Sequence, residues 1–121
     1  MSRIFTALAA GLIAVLPHVA SAHAHLKQSN PAKDAVVQVA LTQVTASFTE
    51  GLEPAFSSLS LVDAAGKSVD GSKAAPAPGD DKTLVLPIAK PLPAGSYTAK
   101  WHVLSKDGHK TQGEWTFTVK P

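Results

Sequence analysis

The chain has 121 residues, with nine acidic side chains, ten lysines and one arginine, no cysteine and a single methionine. That length suits one domain with one modest core. Scattered charges without a basic run exclude an electrostatic footprint for nucleic acid, and the lack of cysteine excludes a disulfide framework and any thiolate metal site.

Residues 1–22 read as an export signal. Arg3 is the positive start, residues 4–16 are an apolar run, Pro17 breaks it, and Ala20-Ser21-Ala22 is a small-residue cleavage site. The run is shorter than the roughly 18–20 residues that span a bilayer, so cleavage is preferred to an uncleaved anchor. Cleavage after Ala22 delivers residues 23–121 to the periplasm. Arg3 and Met1 leave with the signal. Ten lysines then face nine acids, a formal charge of +1, and no sulfur ligand remains. Soft Cu(I) favours sulfur, so a metal site here must use nitrogen and oxygen, which points to Cu(II), Ni(II) or Zn(II).

The mature region reads as strands. One starts near residues 25–28. After Asn30-Pro31, a short helical turn is expected near residues 32–36. Residues 44–48 (Val-Thr-Ala-Ser-Phe) alternate, as do Leu59-Ser60-Leu61, followed by a turn at 63–67 containing Gly66. Residues 68–81, rich in Gly, Pro, Ala and Asp, are expected to form a mobile loop. Residues 83–88 are a short apolar strand. After the 91–95 turn, residues 97–104 place Tyr97, Ala99, Trp101 and Val103 on one face. Beyond Asp107-Gly108, residues Trp115, Phe117 and Val119 alternate with polar ones. The two tryptophans are expected to pair across this last hairpin. Short strands separated by turns predict a single all-β domain, an antiparallel sandwich or barrel.

The chemistry lies in the histidines. Cleavage makes His23 the first residue of His23-Ala24-His25. Its α-amine and ring Nδ1 can close a chelate on one ion, which suits the tetragonal preference of Cu(II). In the late turn, Asp107 and His109 flank Gly108, which lets both side chains face one end of the domain. His23, His109 and Asp107 together would make an N3O site. The plainer alternatives are an ordinary Asp-Gly hairpin turn and solvated histidines. His25 has a competing mode, in which the free amine, two deprotonated amides and the third-position imidazole bind Cu(II) without His109. Otherwise His25 orients the site from outside. His102 is expected on the surface, opposite Trp101.

The mature region also resembles the CopC family of periplasmic copper-resistance proteins, including its YobA-type members. The resemblance rests on His23-Ala24-His25-Leu26, Ser29-Asn30-Pro31-Ala32, Ser47-Phe48-Thr49-Glu50-Gly51, Pro93-Ala94-Gly95-Ser96-Tyr97, the run from Trp101 through Ser105-Lys106-Asp107-Gly108-His109, and Gly113-Glu114-Trp115-Thr116-Phe117. It implies an Ig-like Greek-key β-sandwich that binds one Cu(II) through His23, Asp107 and His109, with Glu50 as an outer or weak ligand. It also implies a CopD-like inner-membrane permease as partner, to which the protein hands copper unless it only buffers the ion; the chain is expected to be a monomer. Some relatives carry a methionine-rich Cu(I) loop. Residues 62–82 contain neither methionine nor histidine, so this chain reads as a Cu(II)-only member. Two rival functions are a histidine-brace oxidative enzyme and a metal-free Ig-like interaction domain.

Overall fold

Alternation of apolar and polar side chains decides where strands form and which face each one buries. The computed structural model describes Gly11, residues 23–69 and residues 73–121. The export signal expected over residues 1–22, Gly11 apart, lies outside them, as do residues 70–72. No helix among the described residues is long and apolar enough to cross a membrane.

Eight strands follow in chain order: β1 (Leu26–Asn30), β2 (Val36–Val37), β3 (Gln43–Phe48), β4 (Ser58–Asp63), β5 (Ala75–Ala77), β6 (Asp80–Pro87), β7 (Gly95–Leu104) and β8 (Lys110–Val119). They form two four-stranded sheets, ordered β1-β3-β6-β5 and β2-β8-β7-β4. Five of the seven connections cross between the sheets, as in an Ig-like sandwich. The pairings are antiparallel except that of β2 with β8, which is parallel over two residue pairs. Tyr97, at the start of β7, donates its hydroxyl hydrogen to the Pro93 carbonyl at 2.6 Å, the corner contact typical of such sandwiches.

The inward faces match the alternation. Val44, Ala46 and Phe48 of β3, Leu59 and Leu61 of β4, Leu84 and Leu86 of β6, and Tyr97, Ala99, Trp101 and Val103 of β7 are all buried. Trp115, Phe117 and Val119 of β8 join them.

Three expectations are corrected. No helical turn forms at residues 32–36. Ala35 N–H donates to the Ala32 carbonyl at 3.1 Å, and Asp34 has φ 62°, a left-handed conformation that ends any helix. Within the expected mobile loop, Ala75–Ala77 forms an edge strand on β6. Pro76 fits there because an edge strand need not donate every N–H. Finally, the tryptophans do not face each other across the hairpin. Trp101 opposes Gly113, and Trp115 opposes Ala99. A Cβ on Gly113 would stand 2.5 Å from the Trp101 ring, so the glycine makes room for the indole. Trp115 Nε1 instead donates to the Pro31 carbonyl at 2.9 Å.

Candidate metal centre

β7 and β8 stay in register up to Leu104↔Lys110, so residues 105–109 close the hairpin at one rim of the sandwich. Gly108 has φ 89°, which a Cβ would resist. Gly108 N–H donates to the Ser105 carbonyl at 2.9 Å, and Ser105 N–H donates to the His109 carbonyl at 3.0 Å. The expected role of Gly108 holds: Asp107 and His109 come out on the same side, with His109 Nδ1 3.1 Å from Asp107 Oδ1.

Ser105 organises this turn. It is fully buried. Its hydroxyl donates to Asp107 Oδ1 and lies 3.3 Å from the His109 N–H, which donates to it. That hydroxyl is the main cause holding the Asp107 carboxyl below the usual carboxylate range, with a smaller contribution from His109. Both contacts fall on Oδ1, leaving Oδ2 outside them. Nδ1 of His109 faces the carboxylate, which fixes the ring and leaves Nε2 as the nitrogen a metal can take. Nearby, Lys106 pairs with Asp81 at 2.5 Å and ties the turn to the start of β6.

Residues 23–25 reach this rim from the other sheet. His23 and His109 approach edge to face, with ring centroids 4.7 Å apart, and His25 stands 6.5 Å from His23. Ala24 between the histidines is fully buried, so the flanking imidazoles point outward. Its carbonyl accepts the Thr111 hydroxyl at 2.7 Å from 87 residues away. His25 N–H donates to Thr49 Oγ1 at 3.0 Å, and Thr49 N–H donates to the His25 carbonyl at 2.9 Å. Glu50 follows Thr49 at the same rim and is exposed. His102 lies apart, exposed on the outer face of its sheet between Ser58 and Gln112.

The structure thus brings His23, His25, Asp107 and His109 to one rim and leaves His102 elsewhere. Among the described residues, no three or more His, Asp or Glu side chains already stand as a ready ligand cage. Asp107 is engaged by Ser105 and His109, and one expected ligand, the His23 amine, would exist only once the bond to Ala22 is cut. Sequence reasoning missed Ser105, Thr111, Thr49 and the burial of Ala24. The signal for Ser105 was present: a serine two residues before Asp-Gly marks a side chain bonded to its own turn. Thr49 acts across the β1–β3 strand pair and Thr111 across the two sheets, which spacing does not show.

A family model described as the CopC domain matches residues 26–120. Protein YobA of Escherichia coli is 41% identical over 99 residues, spanning 82% of this chain and 80% of that one. Two solved structures share the fold. CopC from Methylosinus trichosporium has a TM-score of 0.75 at 37% identity, covering 82% of this chain and 95% of that one. PcoC, a methionine-rich copper resistance protein from Escherichia coli, has a TM-score of 0.74 at 36% identity, covering 82% of this chain and all of that one.

Proposed function

Because the chain belongs to the CopC family, we propose that it is a periplasmic Cu(II)-binding protein of copper resistance and homeostasis. It carries or buffers one ion per monomer and passes it to a CopD-like inner-membrane permease. The ligands are the His23 amine and Nδ1, the His109 imidazole and the Asp107 carboxylate. His25 and Glu50 stand outside this set.

The observation that carries this reading is the meeting of His23 and His109 at one rim, rings 4.7 Å apart, from opposite ends of the mature chain. Nitrogen and oxygen donors in this number suit Cu(II), and the mature chain offers no sulfur for Cu(I). A carrier is favoured over an oxidative enzyme. Trp101, Trp115 and Tyr97 are buried, and of the described Phe, Tyr and Trp side chains only Phe56 is exposed. Those rings therefore offer no flat platform for a polysaccharide.

The test is to add one residue before His23 in the mature protein and titrate Cu(II) against a competing chelator. The amine-imidazole chelate is then broken. Affinity is expected to fall by more than about 100-fold, beyond the 10–100-fold typical of losing an outer partner. Unchanged affinity overturns the reading.

A further inference from the structure

We propose that Thr49 and Thr111 are positioning residues that select how copper is held. By gripping the Ala24–His25 peptide group at both ends, they keep Cu(II) off the backbone nitrogens and direct it to His109. This rests on the reading that the mature chain binds Cu(II) through His23.

A chain that starts His-Ala-His carries its own competitor for the site. Cu(II) can take the His23 amine, the amide nitrogens of Ala24 and His25, and the His25 imidazole. Each amide then gives its proton to water as its nitrogen bonds the metal, and the three residues wrap into a plane around the ion. His109 has no part in that arrangement, so it holds copper on a flexible tail, away from the hairpin.

The fold opposes the step that takes the His25 nitrogen. The carbonyl of Ala24 and the N–H of His25 are the two polar ends of one peptide group. Thr111 holds the first at 2.7 Å and Thr49 the second at 3.0 Å. The His25 N–H bond points at Thr49 Oγ1, so the lone pair left by its deprotonation would point there too. Thr49 also holds the His25 carbonyl through its own N–H at 2.9 Å. Wrapping the tripeptide around an ion would break the bond from His25 N–H, turn the Ala24 carbonyl from Thr111 and withdraw the buried Ala24 methyl from the core. The same grip leaves the His23 ring beside His109. The two threonine hydroxyls come from different sheets, Thr49 just after β3 and Thr111 within β8. The selection therefore exists only in the folded domain.

The experiment uses the mature protein starting at His23, loaded with one Cu(II). It compares wild type with the pair Thr49→Val and Thr111→Val, and with the pair Thr49→Ser and Thr111→Ser, each with and without His109→Ala. Electron paramagnetic resonance counts the in-plane nitrogens, and visible absorption reports the ligand field. Near-ultraviolet circular dichroism of the buried tryptophans establishes that each variant is folded. Should the valine pair not fold, Thr49→Val alone, at an exposed position, carries the comparison.

Wild type and the serine pair are expected to share one spectrum that changes on His109→Ala. The valine variant is expected to show four in-plane nitrogens and absorption at shorter wavelength, unaltered by His109→Ala and abolished by His25→Ala. A folded valine variant that keeps the wild-type spectrum and its dependence on His109 overturns the proposal. So does a wild type that already shows the amide spectrum, unaltered by His109→Ala and abolished by His25→Ala. A wild-type spectrum indifferent to both His109→Ala and His25→Ala brings down the underlying copper site instead, and that result is read before any threonine is changed.

Discussion

Ser105 shows how a residue with no place in the ligand set can decide whether the set exists. Its buried hydroxyl serves Asp107 and His109 together, so both are oriented before a metal arrives. Ser105→Ala is expected to weaken Cu(II) binding about 10–100-fold, as removal of outer partners does, measured by chelator competition. The fold should also lose roughly 1 kcal/mol, the usual worth of a hydrogen bond, seen in a denaturant midpoint. Acid should act differently on the ligands. Nitrogen ligands must be deprotonated to bind, so affinity is expected to fall as pH falls. Asp107, held below the usual carboxylate range by Ser105, stays ionised over mild acidification. Asp107→Asn should therefore lower affinity by a factor that stays the same over mild acidification. A factor that shrinks as the pH falls would mean that the carboxylate titrates there after all.

At the scale of elements, the β7–β8 hairpin joins core and site, since the strands that bury Trp101 and Trp115 also project the ligand turn. Its inward face was legible from alternation alone, residue by residue. Its cross-strand partners were not, because alternation gives the face of a side chain and not its register. Gly113, opposite Trp101, is the consequence. Gly113→Ala is expected to cost about 1–3 kcal/mol by overpacking against the indole, measured by chemical denaturation, with the near-ultraviolet signal of the tryptophans altered. No loss of stability would mean that the ring moves aside freely. β5 and β2 were missed for a related reason. Each is two or three residues long and borrows its shape from a neighbour, so local pattern carries almost no signal for it. Asp34, whose φ is positive, was read inside a helical turn because nothing in its neighbours marks the turn that tertiary contact with β8 closes.

For the whole molecule, binding and folding should be linked. The proposed ligands come from the first residue of the mature chain and from its last hairpin, and meet only in the folded state. An ion that binds the folded form alone stabilises it by about 2.7 kcal/mol at a free concentration 100 times Kd. For a domain of this size that is a rise in Tm on the order of 10–20 °C, checked by calorimetry with and without Cu(II). The protein with one added residue before His23 should lose most of that rise. What the amino-acid order determined by itself was local and periodic. It set the strand faces, the Asp-Gly-His turn with its left-handed glycine, the expected cleavage before His23 and the absence of sulfur, each written in adjacent residues or in composition. What only the tertiary structure decided was proximity: that His23 lies beside His109, that Thr49 and Thr111 grip one peptide group from two sheets, and that Ser105 is buried beneath the turn. Those facts depend on how the sheets stack and where each strand registers, and such contacts between distant residues follow from the packing of the core as a whole.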